Sequence, residues 1–80
     1  MARLEVRTFA RYAELLGDPA AVELTMPSSV SALLDALRQL PGGDVLPSHP
    51  LVAINHTMAS DDTPIRAGDV VALLPPLAGG

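Results

Sequence analysis

Ser29-Val30-Ser31-Ala32-Leu33-Leu34-Asp35-Ala36-Leu37-Arg38-Gln39-Leu40 is the stretch that decides the fold. Its apolar residues Val30, Leu33, Leu34, Leu37 and Leu40 recur at i, i+3, i+4, i+7 and i+10, one continuous stripe on a helix. Ser31, Asp35, Arg38 and Gln39 fall mostly on the opposite side. Ser28 or Ser29 supplies the N-cap, because a serine hydroxyl accepts an orphan N–H of the first turn. Pro41-Gly42 ends the helix. One stripe is one apolar face, and a sheet is needed to cover it.

The flanking segments supply that sheet. Leu4 to Phe9 alternates, with Leu4 and Val6 set against Glu5 and Arg7, the period of a half-buried strand. Ala10 to Leu16 reads as a short helix, with Gly17 placed as a left-handed C-cap. Ala20 to Thr25 is a second strand with Val22 and Leu24 facing inward, and Pro27 stops it. Residues 41–50 are rich in Pro and Gly and read as a flexible connector. They lack the Gly-Lys-Ser/Thr ending of a phosphate-binding loop. Leu51 to Ile54 is a short strand, Asn55-His56-Thr57 a tight turn, and Thr57 to Ala59 a brief return strand. Asp61-Asp62-Thr63-Pro64 forms a turn, and Ala67-Gly68-Asp69 turns into the last strand, Val70 to Leu74. The order is β, short α, β, long α, β, β, β. This is an α+β layout, a small mixed sheet covered on one face by one main helix, with the body spanning residues 1–74. Leu51–Ile54 and Val70–Leu74 are apolar at every position. One helix covers only one face of them, so the other face is expected to present an apolar patch of the kind that marks an interface.

Eighty residues allow one domain, and 49% hydrophobic content suffices for a core. Phe9 and Tyr12 are the only aromatics, so Leu, Val and Ala must fill it. The net charge of −4 argues against nucleic acid and fits steering toward a basic partner surface. No apolar run is long enough for a transmembrane helix, and Met1-Ala2-Arg3-Leu4-Glu5-Val6-Arg7 lacks a signal-peptide core, so a cytoplasmic protein without membrane attachment is expected. There is no cysteine and no lysine; the basic residues are Arg3, Arg7, Arg11, Arg38 and Arg66. Disulfides and thiolate metal sites are thereby excluded. A chain whose own carboxyl end becomes activated would also find neither thiol nor side-chain amine in itself to capture it.

No residue constellation here runs a reaction. His49 and His56 have no neighbours at metal-ligand spacing, Asp61-Asp62 reads as turn chemistry, and no nucleophile elbow surrounds any serine. What remains is the tail, Pro75-Pro76-Leu77-Ala78-Gly79-Gly80. Two prolines cannot donate ladder hydrogen bonds, so the sheet must release the chain there. A polyproline path at ~3.1 Å per residue would carry six residues roughly 18 Å from the body. Gly79 and Gly80 lack side chains and would pass through a slot too narrow for other residues. The Gly80 carboxylate is a poor electrophile as it stands. ATP would have to activate it as an acyl adenylate, on a partner enzyme with phosphate and Mg²⁺ machinery; this chain is expected to bind no cofactor or metal itself.

Phe9-Ala10-x-x-x-Glu14-Leu15-x-Gly17, Val52-Ala53-Ile54-Asn55, and Asp62-x-Pro64-Ile65-x-x-Gly68-Asp69-x-Val71-Ala72 followed by the Pro-Pro-x-x-Gly-Gly tail together resemble the MoaD family. That family is the small sulfur-carrier subunit of molybdopterin synthase. The resemblance spans nearly the whole chain in order. It implies a ubiquitin-like β-grasp fold and a non-catalytic subunit of a heteromeric sulfurtransferase. It also implies that Gly80 is adenylated by a ubiquitin-activating-type enzyme and converted to a thiocarboxylate with a sulfurtransferase. The tail, Gly79 and Gly80 foremost, would then enter a channel of the large catalytic subunit, in a heterotetramer, and deliver sulfur to cyclic pyranopterin monophosphate. By resemblance the partner interface draws on Leu73, Leu74, Pro75, Pro76 and Leu77. This sequence departs where the family often has Phe, at Leu73-Leu74, and where many members have Arg, at Ala13. Three other readings stay open: a carrier for another pathway such as thiazole and thiamine, a ubiquitin-like tag joined to lysines through Gly80, and a plain interaction module. Thiazole carriers are usually shorter and lack the Phe-Ala segment and the Pro-Pro tail.

Overall fold

The alternation around Leu4 and Val6 yields strand β1, Ala2–Thr8. After it come α1, Ala10–Leu16, and β2, Ala20–Leu24. The two-residue strand β3, Ser28–Ser29, leads directly into α2, Val30–Arg38. β4, Leu51–Ile54, β5, Thr57–Met58, β6, Pro64–Ile65, and β7, Val71–Leu74, complete the chain. The computed structural model describes residues 1–75. Five strands form one sheet in the order β2-β1-β7-β4-β5. β7 lies at its centre, parallel to β1 and antiparallel to β4. The expected mixed sheet under one main helix is therefore present.

The core follows from the two periodicities. Val30, Leu33, Leu34 and Leu37 of α2 are buried. They meet the inward row of the sheet: Leu4 and Val6, Val22 and Leu24, Val52 and Ile54, Val71 and Leu73. Burying one such side chain stabilises the fold by about 1.5–3 kcal/mol, before the entropy cost of ordering it. Ser29 is the N-cap, its Oγ accepting the Ala32 N–H at 3.2 Å.

Three expectations need correction. Residues 41–50 are a packed segment. Gly43–Val45 forms a 3-10 turn, Leu46 is buried in the core, and Arg38 Nη2 donates to the carbonyls of Pro47 at 2.9 Å and Ser48 at 3.1 Å. Gly43 is there because nothing larger fits: a Cβ would stand 2.0 Å from the Leu37 carbonyl oxygen. Second, Ser28–Ser29 and Pro64–Ile65 pair as a separate antiparallel ladder. Two residues per strand are too few to show a period, and the pairing brings fully buried Ile65 under the start of α2. Third, Gly17 ends α1 with its N–H on the Ala13 carbonyl, but at φ 87°, ψ 158° it lies outside the left-handed helical well, in a positive-φ region open essentially to glycine alone. The chain must drop back onto the end of β1. There Thr8 Oγ1 donates to the Gly17 carbonyl at 2.6 Å, and the Thr8 N–H donates to Asp18 Oδ1 at 3.2 Å.

Gly43→Ala is expected to cost about 1–3 kcal/mol through overpacking against backbone that cannot retreat. Gly68→Ala, at φ 91° with open space around it, should cost only about 1–2 kcal/mol of backbone strain. Urea unfolding of both variants checks the ordering, and a Gly43→Ala protein as stable as the parent would contradict the packing described.

Candidate functional site

β7 is the element on which the tail is mounted, and its two faces differ completely. Val71 and Leu73 point inward and are fully buried. Ala72 and Leu74 point outward and are half-buried. Leu73 is thus a core residue, and its side chain is not available to a partner; alternation along a central strand allows only every second residue to serve each face. Leu74 faces outward and Pro75 follows the strand. Pro76, Leu77, Gly79 and Gly80 lie outside the described residues.

The outer face carries the expected apolar patch. Register places Arg7 beside Ala72, Ala72 beside Ala53, and Ala53 beside Met58, a row across four strands. The two alanines make a low floor. Phe9 and Leu74 stand on one side of it, and Val70 and His56 on the other. The result is a groove of about 350 Å³. Phe9, Met58 and Val70 are 41%, 55% and 50% exposed, too much apolar surface in one place to be incidental. Val70 was expected as the first residue of the last strand; the strand begins at Val71, and Val70 sits in the groove wall instead.

The turns that hold β7 explain the family-signature polar residues. Asn55 (φ 51°) and His56 (φ 69°) form the positive-φ turn joining β4 to β5. Asn55 Nδ2 donates to Asp69 Oδ1 at 3.0 Å, and Asn55 Oδ1 accepts the Val70 N–H at 2.9 Å. Asp69 Oδ2 accepts the Arg66 N–H at 2.9 Å. The Asn55 N–H donates to the Val70 carbonyl at 2.7 Å. Asn55 and Asp69 therefore clamp the entry of β7 to the β4–β5 turn. The Arg66 N–H, and then the Asn55 amide, hold the Asp69 carboxyl below its ordinary value. Asp18 is the residue that sequence reasoning missed. Its carboxylate accepts the Thr8 N–H and Arg7 Nε, the latter at 3.2 Å, and both lower its pKa. The only hint was its place between Gly17 and Pro19.

Arg3, Glu5, Arg7, Asp18 and Asp69 border a second, open cleft of about 800 Å³ over β1, of mixed charge. Among the described residues no three His, Cys, Asp or Glu side chains converge as metal ligands, and no helix is long and apolar enough to cross a membrane.

A five-stranded sheet with parallel first and last strands at its centre, one long helix across it, and an apolar outer face at the C-terminal strand define a ubiquitin-like β-grasp protein of the sulfur-carrier and small-modifier class. The ThiS family matches residues 6–80. The chain belongs to that family, and is of the ThiS/MoaD type. No curated protein matches it significantly. Its fold is similar to SAMP1 from Haloferax volcanii, at 30% identity and a TM-score of 0.76, over 99% of this chain and 100% of that one. It is also similar to a chain in the complex of subunits 1 and 2 of molybdopterin-converting factor from Helicobacter pylori, at 25% identity, TM-score 0.69, 99% and 100% coverage. The putative molybdopterin converting factor subunit 1 of Pyrococcus furiosus shares the fold, with TM-score 0.77 at 24% identity, over 96% of this chain and 100% of that one.

Asp18 and Asp69 have folded-state pKa values below their unfolded ones, so the folded chain binds fewer protons in acid. Their contribution is present above the unfolded carboxylate range and is lost as pH falls through the lower, folded values. Asp69→Asn and Asp18→Asn together should flatten the acid limb of the urea midpoint against pH. An unchanged acid limb would mean that these two carboxylates hold nothing.

Proposed function

We propose that the chain is the sulfur-carrier subunit of a molybdopterin synthase. The observation that carries this reading is the apolar outer face of β7, β4 and β5, which runs directly into Pro75 at the root of the Pro-Pro-Leu-Ala-Gly-Gly tail. A partner seated on Leu74, Phe9 and Met58 receives the tail from a fixed direction, since β7 is hydrogen-bonded on both sides. Tail residues Pro76, Leu77, Gly79 and Gly80 supply the reach. The subunit 1 and 2 complex of the Helicobacter pylori relative supports a large-subunit partner, to which this face is suited.

Gly80 is the acyl carrier in this scheme. Its carboxylate attacks the α-phosphate of ATP on a ubiquitin-activating-type adenylyltransferase, releasing pyrophosphate and leaving an acyl adenylate. A persulfide on a sulfurtransferase attacks the acyl carbon and displaces AMP, and a second thiol of that partner then cleaves the S–S bond, closing a disulfide on the partner and leaving Gly80 as a thiocarboxylate. The chain has no cysteine and so cannot supply the sulfur itself. On the large subunit the thiocarboxylate sulfur bonds to carbon of cyclic pyranopterin monophosphate, and water then cleaves the acyl–sulfur bond, leaving the sulfur on the pterin and returning Gly80 to the carboxylate. The large subunit supplies the catalytic residues. ATP and Mg²⁺ belong to the activating partner.

A second reading rests on a specific likeness. The 30% identity to SAMP1, a small archaeal modifier protein, supports a tag joined through Gly80 to lysine amines of targets. Both readings need the same activated glycine and differ in the nucleophile.

Deleting Gly79-Gly80 should leave the unfolding midpoint unchanged and abolish dithiolene formation in a reconstituted assay with the large subunit and activating enzyme. Persistence of product would overturn the proposal, and isopeptide adducts in place of product would favour the tag. Met58→Asp should weaken large-subunit binding while keeping stability within about 0.5 kcal/mol, as for surface substitutions generally. Leu73→Asp should instead unfold the domain, since it buries a charge in the core. Unfolding and binding measured on both variants separate the two roles.

A further inference from the structure

The groove on the outer face differs from the rest of this acidic chain in the side chains that line it. The chain carries a net charge of −4, yet among the described residues no carboxylate lines the groove. Its ionisable walls are Arg7 and His56. Arg7 closes one end of the row that runs over Ala72 and Ala53 to Met58. The groove is therefore apolar over its floor and ends at a guanidinium that is ion-paired through Nε to Asp18.

Arg7 is held for this position. Asp18 Oδ1 accepts its Nε at 3.2 Å, and Asp18 is itself fixed by the Thr8 N–H. The guanidinium carbon stands 6.0 Å from the centre of the Phe9 ring, in range for a cation–π contact. Among the described residues its two terminal nitrogens carry no hydrogen bond, and the side chain is 59% exposed. A guanidinium fixed through Nε with its Nη fork free is geometrically ready to take a carboxylate side-on.

Resting on the docking reading above, we infer that the groove takes a segment of the partner enzyme that is apolar where it lies over Ala72 and Ala53 and bears an acidic side chain at its Arg7 end. Arg7 then sets the register and choice of partner, and Asp18 is a positioning residue for it. Long-range attraction to a basic partner surface and this local acceptance of a carboxylate are compatible, because the first acts over the whole body and the second within contact distance.

The test is the affinity of the full-length carrier for the large synthase subunit, by titration calorimetry at low and at physiological salt. Arg7→Glu is expected to weaken binding by roughly tenfold or more. Arg7→Gln should weaken it less and flatten its salt dependence. Asp18→Asn should act in the same direction as Arg7→Gln. Glu5→Gln, on the same strand face and outside the groove, should bind as the parent does. Loss of binding in Met58→Asp with full binding in Arg7→Glu and Arg7→Gln would overturn the inference and leave the docking reading standing. Full binding in all of them would remove both. Self-association of the carrier that Arg7→Glu abolishes, with large-subunit binding intact, would make the occupant a second copy and equally overturn the inference.

Discussion

Burial of Val71 and Leu73 under α2 is the constraint on which the rest of the molecule depends. These two side chains are completely enclosed, and β7 is hydrogen-bonded to β1 on one side and β4 on the other. A strand fixed this way has no freedom in register, because a slip of one residue would turn its core side chains to solvent. Its alternate residues, Ala72 and Leu74, are therefore fixed on the outer face. The root of the tail leaves the sheet at one position and in one direction. Rigidity in β7 means that a partner docking on this face would spend no binding energy on ordering it.

The polar residues shared with the MoaD pattern do structural work in this chain. Asn55 and Asp69 hold the turn that brings the chain into β7 through hydrogen bonds of 2.7 to 3.0 Å, and Gly68 supplies its positive φ of 91°. None of them belongs to the tail on which the proposed chemistry would take place. That division fits a protein whose body presents and whose partners react. The lack of cysteine and lysine fits it too: were Gly80 activated as proposed, it would meet no thiol or side-chain amine on its own chain.

Much of this was legible in the sequence. The α2 stripe, the Leu4–Val6 alternation and the doubly apolar β4 and β7 are strong periodic signals, and they fixed the helix, the sheet and the outer patch. The positive-φ turn at Asn55 was readable from residue type. The shortfalls have physical causes. The β3–β6 ladder has two residues per strand, and no period exists at that length. The 41–50 segment looked flexible because Pro and Gly dominate it. In the fold those same residues let the chain pass close beneath α2, where Gly43 touches the helix carbonyls. Leu73 was placed at the interface with its neighbours because a uniformly apolar strand does not declare which side chain faces which way. The Arg7–Asp18 pair joins residues eleven apart through tertiary structure alone, and local pattern carries no trace of it.

The same groove would serve a sulfur carrier and a protein modifier equally well, and both proposals call for the same activated terminus. What separates them is the chemical state of the last residue. Intact-mass analysis of the native protein, purified from cells that express its activating enzyme, reads that state directly. The carrier account predicts a fraction of molecules in which one C-terminal oxygen is replaced by sulfur, located to Gly80 by fragmentation. A terminus that stays an unmodified carboxylate in the presence of active adenylyltransferase, sulfurtransferase and ATP would contradict it.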